Sequence, residues 1–168
     1  MSVVAARIYP NRYEMAADSI VVLGASQRRD TGFAKLHAID GLIVGAVGSC
    51  DESSLFSLFL KTRSPIPNEE SIVEHIAEFS RWKKERTDSR SIENSYLLGF
   101  ESGVFSVCGF LVQRVTNFIA IGAGADFATA ALHLGHPPRL AVETAVQLST
   151  LCEGPVVTIT RDMFGIQT

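Results

Sequence analysis

Met1-Ser2-Val3-Val4-Ala5-Ala6-Arg7-Ile8-Tyr9-Pro10-Asn11-Arg12 opens the chain. Val3 to Tyr9 is rich in β-formers, and Pro10-Asn11-Arg12 has the composition of a turn, so the chain starts on a strand that folds back. Ser2 stands directly in front of that strand. If the initiator methionine is trimmed, Ser2 carries a hydroxyl and a free α-amine on one carbon. An α-amine has a reference pKa near ~8, so a useful fraction is neutral at physiological pH. One residue then supplies both a nucleophile and the base that activates it.

Working outward, Tyr13 to Asp18 returns as a partner strand, Ile20 to Leu23 is a short β-branched run, and Gln27 to Gly32 reads as a polar loop. Phe33 to Ile39 and Leu42 to Val47 read as strands joined by Asp40-Gly41, a preferred tight-turn pair. The second arm is apolar throughout and is expected to be buried on both faces. Ser49-Cys50-Asp51-Glu52 matches a capping box and starts a helix with Leu55, Phe56, Leu58 and Phe59 as its stripe. Pro65 and Pro67 break the chain. Asn68 begins a second helix with Ile72, Val73, Ile76, Phe79 and Trp82 on one side, and the charged run Lys83 to Arg90 reads as solvated.

The pattern then repeats. Tyr96 to Phe100 and Val104 to Phe110 form a hairpin around Ser102-Gly103, and Asn117 to Ile121 reads as a buried strand closing at Gly122-Ala123-Gly124. Helices follow over Asp126 to His133 and Arg139 to about Leu151, and Pro155 to Thr160 is a last strand. Two β blocks, each followed by paired helices, imply an α+β fold of two stacked sheets covered by helices. At 168 residues the chain is expected to be a single domain, 1–168.

Composition narrows the function. A net charge of −3 leaves no footprint for nucleic acid. Cys50, Cys108 and Cys152 are widely spaced and form no CxxC pair, so they read as reduced thiols. No apolar run nears the ~18 residues that span a membrane, and no basic-then-apolar leader opens the chain, so a cytoplasmic protein is expected. His133 and His136 lie beside Pro137-Pro138 without a second ligand pair, which reads as a surface helix end rather than zinc. Phe127 replaces the third glycine that a dinucleotide loop at Gly122-Ala123-Gly124 would need. Cys50 reads as a small buried filler. No cofactor and no metal are expected.

Ser2-Val3-Val4, Ala16-Ala17-Asp18, Phe33-Ala34-Lys35-Leu36, the Gly45 to Ser49 turn, Ser54-Leu55-Phe56 and Phe118 to Gly124 together resemble, in order, the proteasome β-subunit family and especially its bacterial HslV-type branch. The resemblance implies a four-layer αββα sandwich, the N-terminal nucleophile (Ntn) hydrolase fold. It implies peptide-bond hydrolysis of protein or peptide substrates, self-association into stacked rings, and an AAA+ unfoldase as partner. It places the nucleophile at Ser2, where threonine is usual, an acidic partner at Asp18, a lysine at Lys35 and an oxyanion-hole backbone amide at Gly48. A lysine ammonium beside Ser2 would lower the proton affinity of its hydroxyl and amine. A helix start next to Gly48 suits a developing oxyanion.

The chain departs from that family at three supports of the terminal amine. Ala123 stands where a serine is usual, and Ser149 and Cys152 stand near the positions of an aspartate and a serine. These departures keep two other readings open: a catalytically silent ring-forming subunit, and a small-molecule amidase on the same scaffold.

Overall fold

The computed structural model describes residues 2–23, 26–28 and 32–163. Strands β1 (Val3–Tyr9) and β2 (Arg12–Ala17) form the opening hairpin, followed by β3 (Val21–Leu23) and β4 (Ser26–Arg28). Then come β5 (Leu36–Ile39), β6 (Leu42–Val47), α1 (Cys50–Leu60) and α2 (Glu69–Lys84). The second half holds β7 (Ser95–Phe100), β8 (Gly103–Cys108), β9 (Leu111–Arg114) and β10 (Phe118–Gly122). Helices α3 (Ala125–His133) and α4 (Pro138–Leu148) and strand β11 (Val157–Asp162) complete it.

One sheet runs β10-β1-β2-β11 and the other β5-β6-β7-β8-β9, with every pairing antiparallel. Period-two alternation divides their side chains among three packed layers. Val4, Ala6, Tyr13, Met15 and Ala17 of the first sheet meet Leu36, Ile43, Val47, Leu97 and Val104 of the second. On its other face the first sheet turns Val3, Ala5 and Ala16 toward Ala128, Leu132, Ala141 and Ala145 of α3 and α4. Small residues on both sides let those helices lie close. The second sheet's outer face, with Val44, Tyr96, Leu98 and Phe105, instead receives Phe56, Phe59, Ile76 and Phe79 from α1 and α2. The four-layer αββα order expected from the sequence is the order observed.

Several local expectations need correction. Gln27 and Arg28 pair with β3 rather than lying in a loop, while residues 29–31 of that expected loop are outside the described set. β5 begins at Leu36 rather than Phe33, although the Lys35 carbonyl still accepts the Ala46 amide of β6 at 2.9 Å. Leu58, expected in the α1 stripe, is 51% exposed. β8 stops at Cys108, and β9, absent from the sequence reading, follows the turn. β10 is half-buried rather than buried, because it is an edge strand. α4 ends at Leu148. Asp40-Gly41 turns as expected, with φ of 44° and 83°, the positive values a tight two-residue hairpin requires.

The capping box is half formed. Ser49 Oγ accepts the Glu52 amide at 3.4 Å, but the Glu52 carboxylate does not return to the Ser49 amide. Instead it takes the ammonium of Lys83 at 2.5 Å, the backbone amide of Asn94 at 3.0 Å and the Tyr96 hydroxyl at 3.1 Å. Lys83, expected in a solvated run, is therefore a buried cation whose second acceptor is the Ser91 carbonyl. An ammonium is buried only when it is paired and hydrogen-bonded.

Candidate active site

The start of β1, the end of β2, the approach to β5 and the β6–α1 turn meet at one end of the two sheets. Ser2 is 3% exposed, and its carbonyl accepts the Gly124 amide at 3.2 Å. The next residue is held by Asp18, which lies just past β2. Asp18 Oδ1 accepts the Val3 amide at 2.9 Å and the Lys35 ammonium at 2.8 Å, so one oxygen ties the first strand to the lysine. Its other oxygen accepts the Glu153 amide at 3.3 Å, and the Asp18 amide in turn donates to Val3 O at 3.2 Å. Asp18 is thereby fixed from three directions.

Lys35 is 6% exposed. Burial pushes its ammonium below the ordinary lysine value, and the facing Asp18 carboxylate opposes that shift without cancelling it. Lys35, Ser2 and Gly48 line a common cavity of about 210 Å³, with Ile20, Val22 and Phe33 supplying apolar wall. Cys50 lines it too. It is only half-buried, so it belongs to the cavity wall and is not the buried filler expected. Gly48 has φ of 125°, and a Cβ there would lie 2.1 Å from Asn94 Oδ1, so both its conformation and its surroundings require glycine.

The three sites of departure are also placed. Ala123 and Ser2 line a second, smaller opening together with Gly48 and Glu93. The Ser149 hydroxyl, at the end of α4, accepts the Leu151 amide at 3.1 Å. Cys152 is buried against the Gly122–Gly124 turn, where a Cβ on Gly124 would meet its sulfur at 2.5 Å. Burial pushes the Cys152 thiol up, with the Asp18 charge adding to it. Its neutral thiol therefore packs beside the Asp18–Lys35 pair.

Sequence reasoning missed Asn94. It is 1% exposed, and its carboxamide accepts the Ser49 amide at 2.6 Å while donating to Ser49 O and Ser53 Oγ, both at 2.9 Å. Nothing in the local pattern at 91–95 signals this, because its partners are more than forty residues away.

Among the described residues, no three His, Cys, Asp or Glu side chains converge as a metal-ligand set, and no helix is long and apolar enough to cross a membrane. No protein-family model and no curated protein sequence matches the chain. Solved structures do. Thiobacillus denitrificans BPH in complex with epoxomicin is similar over 97% of this chain and all of its own, at 19% identity and a TM-score of 0.88. Eukaryotic HslV from Trypanosoma brucei is similar over 95% of this chain and 99% of its own, at 20% identity and 0.74. Pseudomonas aeruginosa Anbu, solved as a helical assembly, is similar over 95% of this chain and 81% of its own, at 15% identity and a TM-score of 0.73. Layer order, strand order and these likenesses agree: this chain has the proteasome-type Ntn-hydrolase fold shared by the HslV-like proteins and Anbu.

Proposed function

We propose that the chain is a self-compartmentalising N-terminal nucleophile peptidase with Ser2 as its nucleophile once Met1 is removed. The observation that carries this reading is the double use of Asp18 Oδ1, which holds Val3 and the Lys35 ammonium around a cavity that Ser2 also lines. In the first half-reaction Ser2 Oγ attacks the peptide carbonyl and passes its proton to its own α-amine. The tetrahedral adduct collapses, the C–N bond breaks, and that proton leaves with the departing amine. Water then attacks the ester, giving a proton to the α-amine, and the acid departs as the Ser2 hydroxyl is restored. Lys35 keeps positive charge beside the hydroxyl and amine and lowers their proton affinity. The Gly48 amide, at the strand-to-helix turn, takes the oxyanion. No cofactor enters any step.

Self-association fits the exposed apolar side chains of the α3–α4 layer: Leu134 is 75% and Leu148 61% exposed, and Leu140 and Phe127 of the same two helices are exposed too. Anbu, of the same fold, forms a helical assembly, and BPH was solved with epoxomicin bound. Substrates are then unfolded segments reaching a site enclosed by copies of the chain, delivered by an unfoldase.

A second reading, a silent assembly-forming subunit, is favoured by Ala123, which offers the terminal amine no hydroxyl, and by Ser149, which stands where the resemblance expects an aspartate and hydrogen-bonds Leu151 and Cys152. Intact mass after treatment with a peptide epoxyketone separates the two. This probe needs a hydroxyl to add to its ketone and an amine on the same residue to open its epoxide. Loss of one methionine and a gain equal to the whole inhibitor, absent in Ser2→Ala, is the expected result. Retained Met1, or a trimmed chain that takes no label, makes the protein the silent subunit.

A further inference from the structure

We propose that Asn94 is a positioning residue that sets the oxyanion turn, anchored from behind by the Glu52–Lys83 pair; this rests on the peptidase reading above. The Asn94 carboxamide grips the N–H and the C=O of the same residue, Ser49, at 2.6 and 2.9 Å. It also lies against Gly48 so closely that a methyl group there would overlap it. The peptide unit after Gly48 is thus held by a single side chain. The unit before Gly48 is held by β6, whose last pairing is Val47 with Ser95, the residue next to Asn94. Clamped on both sides, the Gly48 amide keeps one direction, and Gly48 faces the cavity shared with Ser2 and Lys35. Because the Ser49 amide is spent on Asn94, it is withdrawn from oxyanion binding, and Gly48 is left as the donor at the turn.

The anchor explains why charge is buried nearby. Glu52, released from its capping role because Asn94 satisfies Ser49, accepts the backbone amides of both Glu93 and Asn94. Lys83 neutralises it and holds the Ser91 carbonyl at 2.7 Å. The start of α1, the end of α2 and the segment entering β7 are tied at one point directly behind the turn. A buried ion pair is weak support for stability when compared with apolar packing, but it fixes geometry, and a catalytic amide needs geometry. Removing an oxyanion donor outright costs about 10²–10³ in rate. Loosening one should cost less and should spare ground-state binding.

The test compares wild type with Asn94→Ala and the isosteric Asn94→Asp, which keeps the acceptor and loses both donors. Each is measured as assembled protein, folded by circular dichroism, on a fluorogenic peptide and with a matching peptide aldehyde. The aldehyde forms a hemiacetal on Ser2 whose oxygen takes the oxyanion's place, so its affinity reports the turn directly. The expected result is kcat lower by about 10- to 100-fold, KM within about twofold, and aldehyde affinity falling in step with kcat/KM. Asn94→Asp should lose at least as much as Asn94→Ala, because its second oxygen would face the Ser49 carbonyl that the carboxamide now holds. Unchanged kcat in both variants, or a rise in KM that accounts for the whole loss, overturns the proposal. Loss of the folded state in both variants makes Asn94 a purely structural residue and overturns it as well. A wild type that neither cleaves peptide nor binds the aldehyde overturns the peptidase reading along with it, whereas an active wild type with indifferent variants overturns this proposal alone.

Discussion

Asp18 and Lys35 form a buried ion pair at 2.8 Å, and the balance of burial and pairing sets the charge of the lysine. Left alone, a buried ammonium loses its proton easily; beside a carboxylate it is held. In this protein burial prevails in part, so Lys35 deprotonates at a lower pH than a free lysine. In the peptidase proposed above, each limb of the pH profile has a cause. The α-amine acts as base only when neutral, so the rate climbs as pH rises through its pKa. Lys35 acts only while charged, so the rate falls again as pH rises through a value below 10.5. We expect a bell-shaped profile of kcat/KM whose basic limb moves upward in Lys35→Arg, with a reduced maximum because a guanidinium does not fit an ammonium's place. Lys35→Ala should lose about 10²-fold or more. A basic limb that stays put in Lys35→Arg would assign it to some other group. The gathering of Ser2, Asp18 and Lys35 is legible in the ordered spacing of the first thirty-five residues, through their resemblance to the proteasome β-subunit pattern. Asn94 is not, since a side chain that grips a residue far off in the chain leaves no local period or motif.

At the level of elements, helices were readable from caps and stripes, whereas side-chain destinations were less so. Asn68 caps α2 with its carboxamide on the Ser71 amide at 2.8 Å, as its place before Glu69 and Glu70 implied. Yet Lys83, fifteen residues on in the same helix, turns inward to Glu52, a contact that no helical pattern announces. β10 looked buried because it is apolar, but an edge strand can be equally apolar and stay half open. The α1–α2 interface carries its own pH response. His75 of α2 sits 4.8 Å from the Phe59 ring and 6.2 Å from Phe56, centroid to centroid, and its Nε2 has no hydrogen-bond partner. Burial pushes it down to about 4, with Glu78 opposing and Arg63 assisting. The unfolded chain binds that proton near pH 6.5 and the folded protein does not, so the contribution is whole above 6.5 and is lost as pH falls toward 4. Urea unfolding should show a loss of about 2 kcal/mol from this group between pH 7.5 and 5. His75→Leu should remove that share of the slope.

For the whole molecule, the four layers could be inferred because two β blocks each followed by helices admit few other ways to bury every apolar face. The outer surface was harder to read, since an apolar residue on a helix is the same letter whether it faces a core or a neighbouring copy. Leu140 and Leu148 on α4 are 45% and 61% exposed, and charge placed there should leave the fold intact. Leu140→Glu with Leu148→Glu is expected to lower the native mass to a smaller assembly while the circular dichroism spectrum stays unchanged. An unaltered native mass would put the contact on another face. The sheet that carries Ser2 has a further consequence, for the order of events during synthesis. Its first strand leaves the ribosome before any other, but its neighbour β10 comes from residues 118–122 and the second clamp on Asp18 from Glu153. The earliest residues made can pair with β2 at once, but their sheet is completed only by the latest ones. A growing chain therefore holds Ser2 at an unfinished sheet, beside an Asp18 that lacks one of its donors, until residues 118–153 have been made. On the peptidase reading proposed above, a chain cannot cleave anything, itself included, before its own synthesis is nearly complete.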